Sequence, residues 1–156
     1  MATSRVTAIL THEHNIILKV VTAATRMAIA LREGQPIKVS ALRETVGFMR
    51  NFADRCHHAK EEDLLFPALV KVGLPETTSP IAVLKSEHAQ ARSCMTRLDA
   101  AIDAYEKNDP AGRDQIIADI ACMGSLYPQH IEKENGVLFP MAEKMLSPAE
   151  LADLAE

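Results

Sequence analysis

Asn51 to Leu69 reads NFADRCHHAKEEDLLFPAL, and the spacing of its histidines and carboxylates decides the fold. His57 precedes Glu61 by four residues and His58 precedes Glu62 by the same interval, in a run that otherwise reads as helix. Residues i and i+4 of a helix stand one above the other, so each pair can direct two metal-binding side chains at one point. A second stretch, QHIEKENGVLFPMA from Gln129 to Ala142, repeats the arrangement with His130 and Glu134. In both, Leu-Phe-Pro follows the glutamate, as Leu65 to Pro67 and as Leu138 to Pro140. Aligning on that tripeptide equates His57 with His130 and Glu61 with Glu134. It leaves His58 and Glu62 without repeated counterparts.

The repeat extends upstream. Leu10-Thr11-His12-Glu13-His14 and Leu84-Lys85-Ser86-Glu87-His88 share the pattern L-x-x-E-H, and His14 lies 43 residues before His57 as His88 lies 42 before His130. The chain therefore reads as two copies of one module, Glu-His followed by His-x-x-x-Glu, over about residues 4–73 and 79–146. Duplicated polar residues imply two equivalent half-sites.

Around these motifs, apolar residues recur at helical spacing. A first helix runs from Ser4 to about Leu31, through Val6, Leu10, Ile17, Val21 and Met27, and ends at Gly34-Gln35-Pro36. Ser40 is the expected N-cap of a second helix, which stops before Gly73-Leu74-Pro75. Thr78-Ser79-Pro80 opens a third helix reaching Asn108, and Asp109-Pro110 opens a fourth, closed by Ser147-Pro148. Pro67, Pro140 and Pro128 fall inside helical patterns and are expected to kink them, with Pro128 able to break the fourth helix ahead of His130. Four helices of roughly 28 to 36 residues with short connections predict an all-α, antiparallel up-down-up-down four-helix bundle built from two helix-pair repeats. No strand-like alternation competes.

At 156 residues and 47% hydrophobic composition, the chain is expected to form one domain, 1–156, with its own core. A net charge of -4 and a pI near 5.9 give no electrostatic footprint for nucleic acid. Cys56, Cys94 and Cys122 are odd in number and lack CxxC spacing, which favours a reducing compartment over a disulfide framework or zinc site. The start MATSRVTAIL lacks a secretory pattern and no apolar run reads as a membrane span, so the expectation is a cytoplasmic protein.

The repeated polar set is His14, His57 and Glu61 from one module and His88, His130 and Glu134 from the other. Buried at the centre of a bundle, such groups are costly unless a cation draws them together. Four imidazoles and two carboxylates without thiolate suit iron or manganese. Two ions, each with two histidines and sharing both glutamates, would have four protein ligands apiece. A solvent-derived oxo or hydroxo bridge would leave about one open position on each octahedral ion.

In these motifs the chain resembles the hemerythrin-like proteins of the hemerythrin HHE cation-binding group, whose signature is H, HxxxE, H, HxxxE on a four-helix bundle. HHAKEEDLLFP and HIEKENGVLFPMA carry the likeness, which covers nearly the whole chain. The resemblance implies a non-haem di-iron centre of two iron ions that binds or senses oxygen, peroxide or nitric oxide. The alternatives are a peroxide-decomposing enzyme of catalase or peroxidase type and an iron storage or delivery protein. A sensor would pass its signal to a protein partner. The expected state is a monomer or homodimer with neither nucleic acid nor membrane as partner.

The oxygen-carrying hemerythrins have an HxxxH element on the third helix and an aspartate on the fourth. Here Arg92 follows His88 at that interval and Glu134 takes the place of the aspartate. Reversible oxygen transport is disfavoured accordingly, and His58, Glu62 and Tyr127 are the candidates for a substitute ligand or a supporting role. The blander readings put His12 and His58 off the repeated face, by about 200° and 100°. They leave Glu13 and Glu87 in solvent by default, with an acceptor role toward a neighbouring helix's histidine as the alternative. They make the methionines core filler and Cys56 a buried, inert thiol. The acidic tail PAELADLAE reads as a solvated helix end.

Overall fold

Ser4, Ser79, Asp109 and Ser147 each turn a side-chain oxygen onto a backbone N–H of the following turn, at Thr7, Ile81, Ala111 and Glu150 respectively. They thereby satisfy donors that the start of a helix leaves unpaired. In the computed structural model, which describes residues 4–155, these caps open α1 (Arg5–Arg32), α3 (Pro80–Glu106), α4 (residues 110–145) and a short α5 (Pro148–Asp153). The second helix, α2, covers residues 39–71 and starts on Val39 with Lys38 as its uncapped N-cap. Ser40, the expected cap, is thus already inside the helix. Ile37 and Val39 pack against the core and draw the start of the helix back to them.

Three helices end alike. Gly34, Gly73 and Asn108 adopt φ of 75°, 103° and 61°, and the next residue's N–H bonds five residues back, Gln35 to Ala30, Leu74 to Leu69 and Asp109 to Ala104. Glycine suits the left-handed residue of such an ending because it carries no Cβ.

The long-range contacts fix how the helices run. Ser4 N–H donates to Glu143 while Arg113 donates to the Leu31 carbonyl, so α1 and α4 are opposed in direction. Arg43 meets Asp103 while Arg92 meets Asp54, which opposes α2 and α3. Glu87 with Lys133 and Arg97 with Asp119 oppose α3 and α4 in the same way. Among the described residues there is no strand, and the expected all-α bundle is what forms. Gly112 stands where α4 leaves the α3–α4 turn, and a Cβ there would come within 2.9 Å of the Ala101 carbonyl.

The prolines do not break their helices. Phe66 N–H reaches back five residues to the Glu61 carbonyl and Phe139 N–H to that of Glu134, so a π-helical turn (Glu61–Leu65, Glu134–Leu138) sits just ahead of Pro67 and Pro140. A wider turn gives the proline ring room and absorbs its missing N–H. Pro128 lies within an unbroken helical segment, Pro110–Lys133, contrary to the break expected there. A further π-helical segment, Met49–His58, has no counterpart in α4.

Apolar packing falls into two clusters with a polar layer between. Ile17, Ala53, Ala91 and Ile131 belong to one; Leu10, Leu65, Leu84 and Leu138 belong to the other. On every long helix the polar residues of interest lie between a member of each, which keeps water from the layer. Leu151 of α5 is buried in the second cluster, so the acidic tail is anchored and not wholly solvated. Contrary to the expectation that no run suits a membrane span, α1 has the length and a mean hydropathy, 1.2 over an 18-residue window, that would suit one. In the fold its apolar stripe, from Val6 through Leu31, faces the core.

At the end of α3, Arg43 gathers Asp99, Asp103 and Glu106, with Asp99 also held by Arg50. All are partly exposed and therefore screened. Arg43→Ala should cost up to about 1 kcal/mol in urea unfolding at low salt and close to nothing in molar salt. A loss that persists unchanged at high salt would show that Arg43 acts through packing.

Candidate metal centre

The polar layer assembles from all four long helices. His14 comes from α1, His57 and Glu61 from α2, His88 from α3, and His130 and Glu134 from α4; all six are buried. His14 Nε2 lies 2.9 Å from Glu134 Oε2 and 4.0 Å from Glu61 Oε1, and His57 Nε2 lies 3.4 Å from the same Glu61 oxygen. On the opposite side, His130 Nε2 is 3.0 Å from Glu134 Oε1, while His88 Nε2 is 3.4 Å from Glu61 Oε2 and 3.7 Å from Glu134 Oε1. Two groups of four donors result, His14, His57, Glu61, Glu134 and Glu61, His88, His130, Glu134, each with its ligand atoms within 4.8 Å of one another. Both glutamates belong to both groups.

Each histidine is oriented from behind. Nδ1 of His57 meets Glu13 at 2.9 Å, that of His130 meets Glu87 at 2.9 Å, that of His88 meets Glu62 at 2.6 Å, and that of His14 meets the Asn135 amide oxygen at 2.9 Å. A carboxylate or an amide oxygen only accepts, so Nδ1 carries the proton and the Nε2 lone pair faces the centre. This is the support that metal-ligating histidines ordinarily have. The backing is itself held in place: Lys60 pairs with Glu13, Lys133 with Glu87 and Arg92 with Glu62.

Glu13 and Glu87, expected in solvent by default, therefore take the acceptor role, each bonded to a histidine of the neighbouring helix. The signal was present in the sequence. Lys60 and Lys133 each lie three residues after their histidine, as duplicated as the glutamates they hold.

What the centre lacks is hydrogen-bond partners. Nε2 of His14 and His57 and all four carboxylate oxygens of Glu61 and Glu134 are buried without a hydrogen-bond partner. Lone pairs facing lone pairs in a dry layer repel, and a cation between them removes the penalty. Burial, reinforced by the charge of Glu134, pushes Glu61 well above the usual glutamate range. Burial would raise Glu134 too, but the imidazoles of His130, His14 and His88 outweigh it and hold Glu134 low. The backing carboxylates Glu13, Glu62 and Glu87 are lowered despite burial, by their histidines and covering cations. The donor set fits a metal by chemistry, burial and orientation together.

Of the three further candidates, His58 alone joins a donor group, with His88 and His130. It is 1% exposed and stacks on His88 with ring centroids 3.8 Å apart, correcting the reading that set it off the repeated face and agreeing with its place among the candidate supporting residues. The π-helical segment ending at His58 narrows the angle between consecutive residues, so His57 and His58 both face inward. Burial pushes His58 down to about 4 in spite of Asp54, leaving a neutral imidazole. Glu62 is engaged on His88 and Arg92. Tyr127 is buried, with its ring parallel to His58 at 6.2 Å, and burial raises its phenol.

Next to these two residues a cavity of about 230 Å³ opens, also lined by Arg50, Asp54, Arg92 and Met95. His12 is exposed, as expected. Cys56 is exposed where a buried thiol was expected, and Cys94 is the buried one, raised to about 12 by burial and by Cys122.

Residues 5–142 match the family described as the hemerythrin HHE cation binding domain. The chain is also similar to uncharacterised proteins of Mycobacterium bovis and of two strains of Mycobacterium tuberculosis, each 27% identical over 147 residues. Those matches take in 94% of this chain and 57% of each relative, so the chain spans little more than half of their length. No solved structure matches it.

Proposed function

Because this chain belongs to the hemerythrin HHE cation-binding family, and so to the metal-binding hemerythrin-like proteins, we propose that it holds two iron ions and uses them to bind or sense a small oxidant. One ion would take His14 and His57, the other His88 and His130, with Glu61 and Glu134 shared between them. The observation that carries this reading is the pair of four-donor groups that overlap in the same two glutamates. One ion would engage a single oxygen of each glutamate; two would account for all four of those buried, partnerless carboxylate oxygens. The absence of thiolate among the donors favours iron over structural zinc.

His58 would add a third imidazole on the His88 side, standing in for the HxxxH histidine whose position Arg92 occupies. When bound, a pair of irons supplies electrophilic positions and one-electron redox change to a small ligand such as oxygen, peroxide or nitric oxide. This chain's own residues orient the imidazoles, exclude bulk water through the two apolar clusters and admit a small molecule beside Tyr127. A protein partner would carry any signal onward.

Metal analysis of protein reconstituted anaerobically should give about two irons per chain, and a reversible visible absorption change should follow exposure of the reduced form to oxygen or nitric oxide. One zinc with no iron in a metal-replete preparation would end the di-iron reading. Sustained oxygen evolution from added peroxide would replace binding by peroxide decomposition. Rapid loss of iron to a mild chelator would favour storage or delivery.

A further inference from the structure

The two halves of the chain match at Glu13 and Glu87, at His57 and His130, at Lys60 and Lys133, and at Glu61 and Glu134. They part at two positions in register with these. Where the first half has His58 and Glu62, the second has Ile131 and Asn135. Both differences favour the His88 side of the centre. Glu62 accepts from Nδ1 of His88 and His58 stacks on His88, whereas Asn135 accepts from Nδ1 of His14 and Ile131 is a buried hydrocarbon.

From this divergence we infer that the two metal positions are unequal, the His88–His130 position binding first and tightly and the His14–His57 position being the exchangeable one. The inference rests on the two-ion reading given above. A carboxylate that accepts from Nδ1–H pushes electron density onto the ring and strengthens Nε2 as a ligand, which a neutral amide does far less. His88 and His130 are both backed by carboxylates; of His14 and His57, only His57 is. Each backing carboxylate has a covering cation, but that cation lies one side chain further from Nε2, so the carboxylate governs the ring. Asn135 has only the Thr11 hydroxyl beside it, at 3.4 Å. His58 offers the tight position a further neutral imidazole with no equivalent across the centre.

The test is an anaerobic titration of metal-stripped full-length protein with Mn(II) alone, counting bound ions by loss of the free-ion paramagnetic resonance signal and following heat in parallel. The wild type should take two ions in steps separated by about 10- to 100-fold, the range that a backing residue commands. His14→Ala should lose the weak step and keep the tight one, and His88→Ala should lose the tight step. Asn135→Asp, which keeps the oxygen and adds charge, should tighten the weak step about tenfold and leave the other unchanged. Glu62→Gln should weaken the tight step by a similar factor.

Two ions bound with equal affinity, or constants unmoved in both Asn135→Asp and Glu62→Gln, would overturn the inequality and leave the two-ion reading standing. Uptake of a single ion by the wild type would remove both. Asn135→Asp is expected to gain affinity, so damage to folding cannot imitate its result.

Discussion

Metal-free protein should lose stability as the pH is raised from about 7 to 9, and Glu61→Gln should flatten that decline while reducing metal uptake from two ions to fewer than one. Glu61 is fully buried and its carboxyl is held well above the usual glutamate value of 4.5 by burial first and by the charge of Glu134 second. An acid whose pKa is raised on folding binds its proton more tightly in the folded state. Stability is therefore present in full below the unfolded value and drains away as the pH climbs toward the folded one. Glu134 shifts the other way, so its contribution is complete above the ordinary glutamate range, and His57 and His58, both lowered by burial, add stability with rising pH only up to the ordinary histidine value of 6.5, so none of the three opposes the decline above neutral pH.

Glutamine reproduces the neutral, protonated shape of Glu61 and cannot titrate. The variant should thus be at least as stable as metal-free wild type at pH 8, yet unable to lend two anionic oxygens to a pair of cations. Loading the wild type should reverse the trend, because ligands at a thousandfold excess over their dissociation constant add about 4 kcal/mol. For a domain of this size that is a rise in melting temperature of about 8 to 16 °C. Thermal melts of both proteins, stripped and loaded, across that pH range supply the measurement. If Glu61→Gln destabilises the stripped protein equally at every pH, the layer is a structural ion-pair network and the metal reading loses its physical basis.

The features that could be read from the sequence were those governed by the helical period and by duplication. His57 with Glu61 and His130 with Glu134 stand four apart on one helix face, and the shared Leu-Phe-Pro fixed which pair was repeated, so the six inward residues came out together. What escaped depends on contacts between helices or on departures from the ideal turn. Glu13 and Glu87 looked solvated because nothing local says which neighbour a helix turns toward; only the lysines three residues past each histidine echo the same symmetry. His58 was set 100° off the site by an ideal α-helix, and the π-helical segment Met49–His58 brings it in. The prolines were expected to kink their helices, and Pro67 and Pro140 follow π-turns that begin on Glu61 and Glu134, the shared acids. Ser40 failed as a cap because burial of Ile37 and Val39 outweighs a single side-chain hydrogen bond.

Substitutions along a line from the centre outward should reduce metal content in a fixed order: His130→Ala most, Glu87→Gln next, His12→Ala not at all. His130 Nε2 lies 3.0 Å from Glu134 and 3.1 Å from His88 Nε2, so truncation removes one of the four donors on its side and leaves its carboxylate neighbour unbalanced in a dry layer. His130→Ala should be purified with at most about one ion per chain, since only the His14–His57 position keeps its full donor set. Glu87 touches no metal position. Its carboxylate accepts from His130 Nδ1 and is covered by Lys133, and the glutamine variant keeps an oxygen there while losing the charge. Affinity at that position should fall by about 10- to 100-fold with occupancy restored at higher metal concentration, as expected of a residue that acts through the ring it orients.

His12 is two residues from His14, about 200° around the helix, and exposed, so its removal should leave two ions in place. Metal-to-protein ratios after dialysis against graded chelator distinguish the three. Matching metal content in His130→Ala and His12→Ala would refute the ligand assignment outright. A Glu87→Gln variant as poor as His130→Ala, and not rescued by added metal, would mean that Glu87 maintains the fold of α3 against α4 and does not tune the histidine in front of it.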